Sequence, residues 1–519
     1  MKRRLLSVLL CMAMVASLTA CGGEKNTTSS ASMGEGTEKT EGGSAEASGK
    51  ENSGYFYDGE GYKAVLVYVV GTDAPDQDRI SEAFNELTKK ELNMEVELMP
   101  MTLGTWISQV PMMLAGNEQI DLMPMWASSA ATYIASDYIE DLTPYLENEE
   151  GQYFKEQLGD EALNCCKIGD FTYGIPVQKE RAMVNAFVCR KDILDECGID
   201  ASSITDYKDL TDVYATVKEK YPDMVMMASN NSTTPDTKYE MNDILTDGLV
   251  VLMDHGQDTT VVDYYETDEY KEFVETMYDW QQKGYLSKDA ATTTESAENQ
   301  VKAGAAFSYL APNKPGYDTR AALLCGTEME IAPISEPWAG TAQISFLTYG
   351  ISSSSADKDK TMQCLDYIYG NADILNLLNW GEEGVDYEVV DAENNIINYP
   401  DGKDDSSTYH LAEGWQLFDQ FKMHIWEGDS PDIWDETKAL NESAIKSKAF
   451  GFTYDSTSVA NELAALSNVK AKYAAALGSG TVDPEETLPK FIEELKKAGI
   501  EKVISTKQEQ LDKWLEENK

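Results

Sequence analysis

Positive charge is scarce in this chain: 42 Lys and Arg stand against 91 Asp and Glu, a formal charge of −49 that becomes −52 without Lys2, Arg3 and Arg4. A chain this acidic repels phosphates at long range, which argues against nucleic acid and against polyanionic ligands. The acidity reads as a solvated surface and need not describe a cleft. Histidine is scarcer still, and His255, His410 and His424 show no metal or triad spacing. Among eight cysteines there is no CxxC pair, so a zinc or redox site has no support. Cys165, Cys166, Cys189, Cys197, Cys325 and Cys364 read as buried or half-buried thiols, because a core of this size does not depend on disulfides. GxSxG, Walker and HExxH motifs are all missing. Asp391-x-Glu393-x-Asn395 begins like a calcium loop, but Ile396 stands where glycine is needed and Gly402 where glutamate is. No cofactor, metal or catalytic residue is therefore expected. After residue 20 no apolar run is long enough to span a bilayer.

What is present begins at the N-terminus. Lys2, Arg3 and Arg4 form a positive region, and Leu5 to Ala20 is uncharged, mostly apolar and short for a membrane span. Residues 1–20 thus read as a secretory signal peptide. Its end, Leu18-Thr19-Ala20-Cys21, resembles the bacterial lipobox, in which Cys21 carries lipid. Residues 21–54 follow as a Gly-, Ser-, Thr- and Glu-rich stretch with little to bury, read as a flexible linker. Together these features place the folded part at the extracellular face of the cell membrane, held through Cys21. The 465 residues from 55 to 519 suffice for two or three domains.

Ala64 to Val70 is a continuous apolar run suited to a buried parallel strand. Asp76 to Lys90 has helical spacing through Ile80, Phe84 and Leu87. Met94 to Leu98 alternates as a strand, Gly104 to Ala115 is helix-like, and Ile120 to Met125 is another strand. This βαβαβ order opens an α/β sheet, whose ligands gather at the carboxyl ends of strands. Thr72 and Asp73 stand at one such end, and Trp126, Ser128 and Ser129 at another. Asp73 could equally be a turn or cap residue. Met423 to Trp434 reads as loop. In the tail, Asp483-Pro484-Glu485-Glu486 is a helix start, Gly499 a stop, Glu501 to Ile504 a short strand and Lys507 to Asn518 a last helix.

Several stretches together carry a family pattern. IDLMPMW (Ile120 to Trp126), YIASDYIEDLTPYL (Tyr133 to Leu146) and FTYGIPVQKERAMVNAFVCRKDIL (Phe171 to Leu194) resemble family 1 extracellular solute-binding proteins, the substrate-binding lipoproteins of ABC importers. TDYKDL (Thr205 to Leu210) fits with Tyr207 where the family usually has Trp. EIAPISEPW (Glu330 to Trp338), YGISSSSADKDKTMQCLDYIYG (Tyr349 to Gly370) and LNWGEEGVDYEVVD (Leu378 to Asp391) continue the pattern. GFTYDSTSVANELAAL (Gly451 to Leu466) and the tail resemble the C-terminal extension of the longer, oligosaccharide-binding members. The resemblance implies a two-lobed α/β periplasmic-binding-protein-like fold with three crossings, a small C-terminal α+β extension, and hinge closure on a ligand delivered to an ABC permease. Carried onto this chain, it implies a first lobe over 55–182 and 331–390, a second lobe over 183–330 and 391–480, and an extension over 481–519. It further implies that Trp126, Glu180, Arg181 and Tyr309 face the cleft. A monomer is expected.

The residue types suit a sugar, whose C–H face stacks on rings and whose hydroxyls need planar polar partners. Nine tryptophans and 28 tyrosines supply rings. Trp338 and Trp380 sit in turn-like contexts and are candidate platforms, with Trp415, Trp426 and Trp434 behind them. Each could instead pack a core, as Trp106 and Trp280 do on their helical faces. Two rivals stay open at this point. A glycoside hydrolase needs only paired carboxylates, which 91 acidic residues supply by chance. A peptide binder needs a charged anchor, which Glu180 with Arg181 could provide.

Overall fold

The computed structural model describes residues 61–71, 76–148, 151–229, 241–245 and 248–518. The signal segment, Cys21, the linker, Thr72 and Asp73 lie outside the described residues. Nine strands carry the two lobes: β1 (Tyr62–Val70), β2 (Met94–Thr102), β3 (Leu122–Met125), β4 (Ile175–Pro176), β5 (Asn185–Arg190), β6 (Val225–Met227), β7 (Ala306–Pro312), β8 (Met329–Pro333) and β9 (Thr348–Ile351).

The apolar run Ala64–Val70 is buried throughout because both faces of β1 are covered. Leu66, Tyr68 and Val70 meet Ile80 and Phe84 of the helix Gln77–Leu92, while Val67 and Val69 meet Trp106 and Val110 of the helix Leu103–Ala115. Period-two alternation thus feeds two cores from one strand. The sheet order is β2-β1-β3-β9-β4, parallel among β1, β2 and β3 and antiparallel where β9 joins β3 and β4. The second sheet runs β8-β5-β7-β6, with only β7 and β6 parallel.

The chain passes between the sheets after β4, after β8 and again through the helix Ile433–Ser443. A turn in the first lobe shows how locally the sequence is constrained. Gly381 has φ 85°, and a Cβ there would lie 2.2 Å from Asp386 Oδ2. That closeness lets Asp386 accept from the Glu382 and Tyr409 amides and from Arg79 Nη2 at 2.8 Å, which ties the first helix to the Gly-Glu-Glu-Gly turn.

Five expectations need correction. Glu501 to Ile504 is not a strand but part of the helix Ile500–Glu517, whose buried Ile500, Val503, Lys507 and Leu511 recur at helical spacing. The last residues are therefore helical, not α+β. They are also no appendage: Phe491, Leu495, Val503 and Leu511 share one core with Tyr214 and Trp280 of the second lobe. Residues after 391 stay with the first lobe longer than expected, since Leu417, Phe418 and Met423 are buried in its core beside Tyr349. Between them lies a small sheet of Glu388–Asp391, Ile396–Asn398 and Ile425–Trp426, so Met423 to Trp434 is only partly loop. Among the described residues no helix is long and apolar enough to cross a membrane.

Candidate functional site

The three crossings run side by side. Met183 of the first and Trp338 of the second exchange backbone hydrogen bonds at 2.7 and 3.1 Å. Trp338–Ala339 in turn pairs in parallel with Ile445–Lys446 of the third. Asn441, on the helix Ile433–Ser443, clamps the first crossing: its Oδ1 accepts from the amides of Arg181 (2.6 Å) and Ala182 (3.2 Å), and its Nδ2 donates to the Lys179 carbonyl (3.1 Å). Backbone held this way cannot drift independently of the other two crossings.

Against this strip lies a cavity of about 480 Å³. Lys179 to Met183 form one wall, Gln343 and Phe346 after the second crossing form another, and Lys314, Tyr317 and Arg320 of the second lobe close it. Phe346 leaves its ring 49% exposed, unusual for a residue of that size and apolarity. A second cavity, about 730 Å³, shares Asn313 and Lys314 with the first and is walled by Glu436 and Leu440 of the crossing helix.

Glu180 sits between two ammonium groups, Lys179 at 2.9 Å and Lys314 at 3.0 Å. Burial alone would raise its pKa, but the two lysines outweigh burial and hold the carboxyl below the ordinary glutamate range. Lys179 also stands 5.9 Å from the ring centre of the half-buried Trp415. Arg181 donates from Nη2 to Gln178 Oε1 at 2.8 Å, and among the described residues its buried Nε–H has no hydrogen-bond acceptor. Burial lowers the pKa of its guanidinium. Nearby, burial pushes Asp419 up to about 6.

Of the residues expected at the cleft, Glu180 and Arg181 line the cavity. Trp126 follows β3 and is half-buried, its ring edge-to-face on Trp106 with centroids 4.4 Å apart, and it is not among the residues lining the cavity. Ser129, in the first turn of the helix Ala127–Ala135, donates its amide to the Trp126 carbonyl. Three expectations are overturned by burial. Tyr309 is 2% exposed within β7, packed in the second lobe with its hydroxyl toward Cys325 and Tyr317. Trp338 is 1% exposed in the hinge, with His255 close by. Trp380 stacks on Trp426 at 5.2 Å in a ring cluster with His410. In that cluster burial lowers His410 to about 4. Sequence reasoning missed Lys179, Lys314, Tyr317, Phe346 and Asn441. One signal was available: Pro315 and Gly316 mark the turn after β7, and turns at strand ends, not strand interiors, face clefts.

Residues 80–382 match the model of the bacterial extracellular solute-binding proteins. The chain belongs to that family. Residues 448–516 of this solute-binding protein match a further model, a domain of unknown function. A carbohydrate ABC transporter substrate-binding protein of Streptococcus pneumoniae is 25% identical over 457 residues, covering 88% of this chain and 91% of the relative. The crystal structure of an N-glycan transport solute-binding protein from Streptococcus pneumoniae superposes with a TM-score of 0.76 at 24% identity, over 89% of this chain and all of that one. A human-milk-oligosaccharide-binding protein from Bifidobacterium longum gives 0.65 at 16% identity, over 88% of this chain and all of that one. These likenesses fix the two-lobed fold, with the cavity against the crossings that join its lobes.

Proposed function

We propose that this solute-binding protein captures a saccharide in the cavity beside its crossings and delivers it to an ABC importer, tethered at the outer face of the membrane by lipid on Cys21. The observation that carries this reading is the cavity wall itself. It pairs an exposed ring, Phe346, with the planar, charged groups of Glu180 and Arg181. Those are the two chemistries a pyranose requires, a stacking face and fixed hydrogen-bonding groups. The three crossings, bonded to one another, supply a hinge about which two lobes close. A closed form that differs from the open one is what a permease can recognise. The name of the pneumococcal relative, a carbohydrate substrate-binding protein, agrees with this cargo.

The test is a thermal-shift screen of the chain from Gly22 onward against mono- and oligosaccharides and short peptides. A ligand at 100 times its Kd stabilises by about 2.7 kcal/mol, which raises the midpoint measurably. A shift confined to one glycan class is expected; a shift with peptides alone would replace the carbohydrate reading with the peptide one. Metabolic labelling with a fatty-acid analogue tests the tether, and loss of label in Cys21→Ser is the expected result.

A further inference from the structure

The chain has fewer than half as many basic as acidic residues, yet the cavity wall reverses that balance. Among the described residues, Lys179, Arg181, Lys314 and Arg320 line it, against Glu180 and Glu298. Contacts within the wall do not cancel the excess. Glu180 is shared between Lys179 and Lys314, one negative charge for two positive ones. Arg181 donates Nη2 to the neutral Gln178 and has the Asp419 carboxylate within electrostatic reach, so the unspent positive charge lies with Lys314 and Arg320. Arg320 is exposed and, among the described residues, has no carboxylate within ion-pair distance. Cations gathered on one small concavity of an otherwise acidic protein are costly to hold together unless something negative enters between them.

We propose that the saccharide carries one acidic group, a carboxylate or a sulfate, received by Lys314 and Arg320. This rests on the carbohydrate reading above and narrows it. Arginine's planar fork matches either oxyanion, and lysine adds a point charge. The acidic outer surface does not forbid such a ligand, because at physiological salt its field fades over about 8 Å while the wall cations act at contact. It does disfavour a ligand with many charges, whose remainder would lie along the acidic exterior. One charge, seated in the cavity, satisfies both conditions.

Titration calorimetry on the chain from Gly22 onward tests this, using oligosaccharides that end in one hexuronic acid. Their carboxyl-reduced neutral counterparts and the mono-sulfated series form the other arms. The acidic member of a pair is expected to bind about tenfold tighter or more at low salt, with the preference shrinking as salt is raised. The arm that binds best names the anion. Arg320→Gln and Lys314→Gln are each expected to cut the acid-to-neutral ratio severalfold, with circular dichroism confirming the fold. Neutral counterparts that bind as well as the acids would overturn the charge inference and leave the saccharide reading standing. No binding by any arm, in a protein that melts cooperatively, would sink both. A ratio unchanged in both variants would remove these two cations from the site.

Discussion

Glu180→Gln removes one negative charge that two ammonium groups share at 2.9 and 3.0 Å. The side chains are 19% exposed for Glu180, 14% for Lys179 and 30% for Lys314, so the cluster is neither open to solvent nor fully enclosed. Exposed pairs contribute up to about 1 kcal/mol, and removing one partner of a buried pair costs about 3–5 kcal/mol. Between those limits, and with two lysines left facing each other, the loss should be about 2 kcal/mol. In a folded part of this size, whose unfolding entropy at the midpoint is about 1 kcal/mol per kelvin, that lowers the melting midpoint by about 2 °C. The pH dependence has a definite sign. A carboxyl whose folded pKa is depressed contributes stability above its unfolded pKa, and that contribution is lost as pH falls through the folded value. The gap between wild type and variant should therefore be full at pH 7 and close as pH drops below about 4. Thermal melts of both proteins across that range make the measurement, and a Glu180→Gln, Lys314→Gln double-mutant cycle should give a coupling of about 1 kcal/mol. Equal midpoints at pH 7, or a gap that widens on acidification, would refute the reasoning.

Rings give a matched pair of outcomes. Phe346→Ala should weaken saccharide binding by about 1–3 kcal/mol in calorimetry and barely move the midpoint, because its ring is largely exposed. Tyr309→Phe should leave affinity unchanged, whereas Tyr309→Ala should cost about 3–5 kcal/mol of stability in urea melts, as a core ring does. Asp419→Asn should stabilise the protein at pH 7 by about 1–2 kcal/mol, because burial holds the aspartate near 6 and its ionised form is disfavoured in the fold. That gain should fade as pH falls from about 6 toward 4, where wild type regains its proton. Ending the chain after Gly480 should give an aggregating protein without a cooperative melt, because Phe491, Leu495 and Leu511 fill the second lobe's core.

The hydrophobic pattern made the first lobe legible. Seven consecutive apolar residues from Ala64 to Val70 can only be satisfied by cover on both faces, and the alternating helices that follow supply it. Local chemistry also marked the helix start at Asp483-Pro484, where the Asp483 carboxylate accepts the Glu485 amide. Spacing and order of motifs carried the family, and Glu180 and Arg181, expected at the cleft, line the cavity. The β-branched Val503 and Ile504 misled, because strand preference is weak beside the burial of a helical face. Which rings and charges meet was not legible at all. Tyr309, Trp338 and Trp380 have the same chemistry as a stacking platform, but whether a ring faces a cavity depends on what other elements cover it. Glu180, Lys314 and Phe346 lie far apart in sequence and meet only because three crossings bind to one another. The sequence by itself determined the elements and the family, since both follow from local pattern; the tertiary structure alone decided the site, since a cavity wall is made of residues that no local pattern relates.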